Sequence, residues 1–429
     1  MKNVSDDKEI IEAFNAGKNI FITGKGGSGK TYLAKQFAKK PGTIITSTTG
    51  ISSIIVGGET IHRFLGLGIN SRPEFVQKIL AKWSGWIKSS SIYEKRRVST
   101  VQNLNTLIID EVSMLRRDTF EVIDLVLSHI RDNPYIPFGS LRLVLVGDFL
   151  QLNPVVTHSD LKSFPDLSYP FAFQSSLWGS ANFECFNLTS NYRQVDEDFL
   201  RVLDKVRFGY IDDEVLDVLN SRVNVKLDVP MDPIKLFPYN VDVYRENMRC
   251  ISRLPGDKIL STAEAHGKND YFMEVMLKES PCEEKLYFCK DAQVVMLTNN
   301  GDTWVNGSMG IVRSINPVRI QLANGNLVTV SYHKWEKKIN HLDPASGYVV
   351  SDTVATIEQY PFKLAYATSI HKSQGLEFNY VDLDLSNCFS PGQAYVALSR
   401  CKTLSGLCLR GFNKKSIMAD DRVVKFYLF

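Results

Sequence analysis

Four glycines fall within six residues directly after a short apolar run, and no other stretch limits the possible folds of the chain so tightly. Asn19-Ile-Phe-Ile-Thr23 reads as a buried strand, and Gly24-Lys25-Gly26-Gly27-Ser28-Gly29-Lys30-Thr31 follows it. These positions satisfy the spacing G-x-x-x-x-G-K-[ST]. Such a loop removes side chains so that backbone N–H groups can close on a compact polyanion, and its glycines permit positive φ. Tyr32-Leu-Ala-Lys-Gln-Phe-Ala38 then reads as a helix with Leu33, Ala34 and Phe37 on one face. Its N-terminus adds anion affinity of its own. Strand, glycine loop and helix predict a triphosphate site built by residues 24–31. Lys30 is expected at the β- and γ-phosphates and the Thr31 hydroxyl on Mg²⁺.

About 80 residues later, Thr106-Leu-Ile-Ile-Asp110-Glu111 reads as an apolar strand ending in two carboxylates. Asp110 suits the metal, and Glu111 beside it can polarise an attacking water. An acid at that position favours a hydrolysing motor over a kinase of the same loop class, which needs no water-activating base. A third buried strand, Leu141 to Asp148, runs into Phe149-Leu-Gln151-Leu-Asn-Pro154. Gln151 is then either a group that orients water or senses the γ-phosphate, or simply a turn glutamine. A second α/β unit is expected from Asn191-Tyr-Arg193-Gln194 onward, and Gln393 to Arg400 reads as a helix ending in arginine. Arg193 and Arg400 are each either arginine fingers reaching the γ-phosphate from that unit or surface ion pairs.

The length of 429 residues predicts two to four domains. With a net charge of only +3, any nucleic-acid surface has to be local. One local candidate is His62 to Val98, where eight Lys/Arg face two Glu, interleaved with Phe64, Phe75, Trp83, Trp86 and Tyr93. Cations for phosphates and rings for bases suit a single strand; a solvated helix face over core aromatics fits equally. From about Pro255 to Lys290 the pattern is irregular. Residues 291 to 337 then show short strands between Asn-Gly and Asn-Pro turns, which predicts an inserted small β-barrel. The α/β pattern resumes at Ala365. Seven cysteines without a C-x-x-C pair predict reduced thiols and no zinc. No leader peptide and no membrane span are expected. The expected location is therefore intracellular: cytoplasm or nucleoid, or nucleus or mitochondrion in a eukaryote.

Taken together, these clusters resemble the superfamily 1 DNA helicases of the PIF (petite integration frequency) and RecD-like group, over about Asn19 to Phe412. The phosphate loop resembles motif I, Leu107 to Met114 motif II, and Gly147 to Pro154 motif III. Thr48-Thr49-Gly50 is similar to motif Ia, and Thr60-Ile-His62-Arg-Phe64-Leu-Gly66 to motif Ib. Asn191 to Gln194 resembles motif IV, Ala367-Thr368-Ser-Ile-His371-Lys372-Ser-Gln-Gly375 motif V, and Tyr395 to Arg400 motif VI.

The resemblance implies an α/β fold of two RecA-like P-loop NTPase motor domains, each with an inserted accessory subdomain. By position, the first motor takes 1–62 and 100–190, with a small helical, basic strand-separating element at 63–99. The second takes 191–253 and 346–429, with an accessory domain and small β-barrel at 254–345. The resemblance also implies a 5′–3′ motor on single-stranded DNA that uses ATP and Mg²⁺. It would unwind duplexes, with G-quadruplexes and DNA–RNA hybrids as further substrates. Lys30, Thr31, Asp110 and Glu111 would handle nucleotide, metal and water, and Gln151, Arg193 and Arg400 the γ-phosphate. Thr48, Thr49, Gly50, His62, Phe64, Thr368, His371 and Lys372 lie in motifs that face DNA. The alternatives are a translocase that displaces proteins, or an ATP-switched DNA-binding or loader subunit. The implied partners are single strands and junctions, and nothing requires more than a monomer. The family's adenine-reading glutamine is missing, since no glutamine precedes Gln36. No further C-terminal module is expected.

Overall fold

The computed structural model describes residues 1–67, 76–156, 160–161, 168–190, 196–229 and 231–428. Asn191 to Gln194, and Arg193 with them, lie outside the described residues.

Seven strands form the first sheet: β1 (Lys2–Val4), β2 (Ile20–Gly24), β3 (Thr43–Ser47), β4 (Glu59–Thr60), β5 (Thr106–Asp110), β6 (Arg142–Val146) and β7 (Glu184–Leu188). Their order is β1-β7-β2-β6-β5-β3-β4 and every pairing is parallel. A parallel sheet is covered on both faces, so its strands read as unbroken apolar runs. The pleat still sorts them. Ile20, Ile22, Ile45, Ile108, Val144 and Val146 pack with the helices Lys8–Asn15 and Lys30–Phe37. Phe21, Ile44, Leu107, Ile109, Leu143 and Leu145 face a second core with the helix Arg117–Ile130. Between β4 and β5 lie the helices Val76–Lys88 and Ile92–Asn103. The expected boundary at residue 99 falls inside the latter.

Of the aromatics in this insertion, Phe64, Trp83 and Trp86 can be placed, while Phe75 lies outside the described residues. Trp83 is fully buried and its indole N–H donates to the Leu65 carbonyl at 2.8 Å. Phe64, expected to face DNA, is only 2% exposed and belongs to the same core. Both rings are therefore packing elements. Trp86 stays half-buried with Lys82 over its ring at 4.7 Å and Arg97 at 5.5 Å.

The second unit opens with the helix Glu197–Arg207 and then β8 (Ile234–Phe237). Accessory strands follow: β9 (Ile259–Thr262), β10 (Glu264–Gly267), β11 (Lys285–Phe288), β12 (Gln293–Met296), β13 (Met309–Ile315), β14 (Val318–Leu322), β15 (Leu327–Thr329), β16 (His333–Leu342), β17 (Val349–Gln359) and β18 (Phe362–Leu364). The stretch read as irregular thus holds three four-residue strands and the helix Asp270–Glu279. Strands so short and half-exposed carry too little period-2 signal to be read from sequence. The β-rich stretch is a five-stranded antiparallel sheet, β15-β14-β13-β12-β18, whose edge strands β15 and β18 do not pair with each other. Residues 349–364, assigned by sequence to the second motor, pair instead with accessory strands β16, β10 and β12. Residues 343–348 form the tip of the β16–β17 hairpin, and the expected boundary at 345/346 falls inside it.

The motor pattern resumes with β19 (Ala367–Ser369), β20 (Val381–Asp384) and β21 (Leu407–Gly411), in the parallel sheet β19-β8-β20-β21. A final helix, Asp421–Leu428, packs back on the first core through Val423 and Phe426. Among the described residues no helix is long and apolar enough to cross a membrane.

The two motor sheets meet at a buried ion pair. Arg207 Nε and Nη2 donate to Asp148 Oδ2 and Oδ1 at 2.9 and 2.8 Å, and Tyr427 Oη donates to Oδ1 at 3.1 Å. Burial pushes the Asp148 carboxyl up, but the Arg207 charge and hydrogen bonds outweigh it and hold the group below its ordinary value. The Asp148 contribution is therefore complete above the ordinary Asp range and is lost as pH falls through its lower folded value. Arg207→Met should lower stability by about 3–5 kcal/mol at pH 7. The measurement is denaturant unfolding of both proteins between neutral and acid pH. The gap should narrow as Asp148 protonates, and an unchanged midpoint at pH 7 would contradict the assignment.

Candidate active site

The glycine loop leaves β2 at Gly24, whose φ is 146°. A β-carbon there would lie 2.6 Å from the Leu188 carbonyl oxygen and 2.7 Å from Ser28 Oγ, so only glycine fits. Gly29, at φ 88°, caps the helix Lys30–Phe37 and turns the chain into it. Lys30 Nζ donates to the carbonyls of Gly24 at 2.6 Å and Lys25 at 2.7 Å, and to Ser28 Oγ at 3.3 Å. Burial pushes its ammonium down to about 8, against the pull of Asp148 and Glu111. Lys25 pairs with Asp204 of the second unit.

Neighbouring strands deliver the carboxylates. Asp110 ends β5, and its Oδ2 accepts from the Thr31 hydroxyl at 3.0 Å. Hydroxyl and carboxylate side by side form an oxygen pair that suits Mg²⁺. Burial pushes the Asp110 carboxyl up. Glu111 has φ 56°, left-handed for a residue with a side chain, a conformation that clusters at working sites. Burial, with the Asp110 charge beside it, pushes its carboxyl up to about 7. Gly147 lets β6 approach this turn, since a β-carbon there would sit 2.8 Å from the Val112 nitrogen.

Gln151 is buried, and its backbone packs on Gly392, where a β-carbon would meet the Gln151 carbonyl oxygen at 2.0 Å. Arg400 is 2% exposed, so it is no surface arginine. Its Nε donates to the Val396 carbonyl at 2.9 Å and its Nη1 to the Leu376 carbonyl at 3.1 Å. Nη2 lies 3.7 Å from where a Gly26 β-carbon would be. Arg400 thus points from the second unit onto the glycine loop. A cleft of about 590 Å³ is lined by Gly26 to Thr31, Asp110, Glu111, Gln151 and Arg400. Asp6 and Asp7 also line it, at the place where the sequence lacks a glutamine.

Three contributors were not singled out from sequence. Gln374 Nε2 donates to Glu111 Oε2 at 3.2 Å and to Gln151 Oε1 at 3.1 Å. Tyr395 Oη accepts from the Gly26 N–H at 3.3 Å. Arg207 reaches Asp148 beside the loop. Gln374 and Tyr395 sit inside recognisable motifs, but neither has an acid–base signature. Nothing local marks Arg207.

A second cleft, of about 810 Å³, lies between the first unit, the second unit and the accessory strands. Its described lining holds five lysines (35, 278, 285, 363 and 372) against one carboxylate, Glu283. Thr368 and Lys372 line it; His371 is exposed beside them. Thr368 itself is buried. The Thr48 hydroxyl donates to the Glu111 carbonyl at 2.8 Å, and Thr49 caps the helix Gly50–Ile55. Gly50 allows Glu279 of the accessory unit to come close. His62 is half-buried; burial lowers its imidazole pKa, with Asp118 opposing. The lysines are scattered over more than 330 residues, so no charge run announced the cleft.

The family model described as PIF1-like helicase matches residues 4–217. The ATP-dependent DNA helicase Pif1 of Bdellovibrio bacteriovorus is 32% identical over 98% of this chain and 91% of that protein. The human ATP-dependent DNA helicase PIF1 is 32% identical over 97% of this chain, which spans 62% of the human protein. A structure of unliganded Pif1 from a Bacteroides species gives a TM-score of 0.85 at 27% identity, covering 100% of this chain and 97% of that one. The Bacteroides Pif1 structure bound to single-stranded DNA gives 0.66 at 27% identity, over 99% and 96%. With matching motifs, matching architecture and a relative aligned along almost its whole length, the chain belongs to the PIF1-like helicase family.

Proposed function

We propose that this chain is an ATP-driven DNA helicase that moves 5′–3′ on a single strand and separates the duplex ahead of it. The observation that carries the proposal is one seam between two parallel sheets. Along the seam, Lys30, Thr31, Asp110, Glu111, Gln151 and Arg400 line one cleft and lysines line a second. Site chemistry, more than fold, is the warrant.

In this reading the glycine loop and Lys30 hold the β- and γ-phosphates. Thr31 and Asp110 would hold Mg²⁺, which when bound would supply charge neutralisation at the phosphate oxygens. Glu111 takes the proton from the attacking water, Gln151 orients that water, and Arg400 stabilises the transferring group. Arginines in that role contribute roughly 10³ to 10⁵ in rate. Arg193 is proposed as a second such arginine. The strand lies in the lysine cleft, held through phosphate and sugar without sequence reading. Thr48, Thr49, Gly50, His62, Thr368, His371 and Lys372 are assigned to that surface. Phe64 supports it from the core. Asp6 and Asp7, which line the same cleft, are proposed to meet an exocyclic amine of the base.

The domain proposal follows the sheets. The first motor comprises the seven-stranded sheet and the second the four-stranded sheet, with the accessory strands extending to Leu364. The two helices between β4 and β5 are proposed as the strand-separating element. Structured DNA and DNA–RNA hybrids are included among the proposed substrates.

Three outcomes are expected. Glu111→Gln should cut steady-state hydrolysis by about 10²–10⁴ while leaving nucleotide binding intact. A normal turnover rate would remove Glu111 from its role. On tailed duplexes, a 5′ single-stranded tail should permit unwinding and a 3′ tail alone should not; the reverse preference would refute the polarity. In the lysine cleft, a Lys278→Ala/Lys285→Ala double variant should bind oligonucleotides with a shallower salt dependence. The log–log slope should fall by about 0.7 for each lost phosphate contact. An unchanged slope would place the strand elsewhere.

A further inference from the structure

Gln374 is the one described residue that lines both clefts. Its amide nitrogen has two N–H donors, and both are committed on the hydrolysis side. One goes to Glu111 Oε2 at 3.2 Å and the other to Gln151 Oε1 at 3.1 Å. On the other side, His371 and Lys372 lie three and two residues earlier in the same short turn. That turn is tied down at its base: Lys372 N–H donates to Ser369 Oγ at 3.3 Å, and Ser373 Oγ donates to the Ile370 carbonyl at 2.8 Å. Arg400 Nη1 also donates to the Leu376 carbonyl just beyond it. Only Ser373 separates Lys372 from Gln374, so the two side chains are joined by a short stretch of hydrogen-bonded backbone.

We propose that Gln374 is a positioning residue that holds Glu111 and Gln151 in an unproductive pairing until a nucleic-acid strand engages the turn from the lysine cleft. One amide nitrogen ties together the two groups that must handle the attacking water, so that each is held to Gln374 instead of facing the water. A polyanion drawn to Lys372 competes for the turn and frees both acceptors. Gln374 thereby suppresses hydrolysis in the absence of DNA and couples the two sites. This inference rests on the assignment of Glu111 as the base.

The test is steady-state ATP hydrolysis, with and without a single-stranded oligonucleotide, for wild type, Gln374→Met and Gln374→Asn. Methionine keeps the length and loses the donors; asparagine keeps the amide but is one methylene too short to reach both acceptors. Both variants should raise the DNA-free kcat by about tenfold, the size implied by losing a hydrogen bond to a charged group. KM for ATP should stay near wild type, and the stimulation by DNA should shrink by the same factor. A residue that merely supports the fold would lower both rates in parallel. That result, or DNA-free rates no higher than wild type in both variants, overturns the proposal. Adding Glu111→Gln to Gln374→Met separates the two assignments. Loss of the raised DNA-free rate is expected. If that rate survives in the double variant, Glu111 is not the base, and the catalytic reading fails rather than the positioning one alone.

Discussion

The ion pair between Asp148 and Arg207 fixes how the two halves of this molecule meet. Both side chains are excluded from water, and each would cost several kcal/mol to bury alone. Asp148 follows the end of β6, two residues beyond the strand; Arg207 ends the first helix described in the second unit. The last helix joins them, with Tyr427 hydrogen-bonded to Asp148 and its hydroxyl 2.6 Å from Thr23 Oγ1. A shifted docking of the sheets would strand a charge in a medium that cannot solvate it. The glycine loop follows directly after Thr23, so the part proposed to touch phosphate is held by the same contacts that hold the sheets together.

Given that seam, the chemistry follows from parallel strands. Parallel strands place their carboxyl ends at one edge, where open α/β sheets gather ligands. β2 ends in the phosphate loop, β5 in Asp110, and β6 leads to Gly147 and then Gln151. The second sheet brings Arg400 and the turn after β19 to the same edge. Close approaches at Gly24, Gly147 and Gly392 leave no room for a side chain, and so bring backbone from different strands into contact. The accessory helix Asp270–Glu279 and strands β11 and β18 add three of the five lysines of the neighbouring cleft, so the proposed strand-binding surface is completed by elements inserted far from the motor motifs.

Much of this was legible in sequence because the decisive signals are local. Unbroken apolar runs gave β2, β3, β5 and β6 to within a residue or two. Loop spacing gave the glycine-rich turn into the helix Lys30–Phe37, and Asp110-Glu111 gave the carboxylates that line the same cleft. Long-range packing was not legible. Phe64 and Trp83 alternate with basic residues, and the sequence does not say that Trp83 turns inward to the Leu65 carbonyl. The β16–β17 hairpin carries Ser351, Asp352 and Thr353 on a strand too polar to be read as one. The helix Asp421–Leu428 owes its place to Phe426 and Tyr427 meeting the first motor. Gln374 has no charge and no reactive group, and only its two contacts mark it.

The central claim is that nucleotide and DNA sites share one seam and are therefore energetically coupled. Equilibrium coupling is reciprocal: if one ligand changes the affinity for the other by some factor, the converse change is equal. The most direct measurement is affinity for a non-hydrolysable ATP analogue with and without a single-stranded oligonucleotide, and affinity for the oligonucleotide with and without the analogue. The account predicts a shift of about fivefold or more in each, equal within error, as couplings of 1–3 kcal/mol imply. Two affinities each indifferent to the other ligand would contradict it.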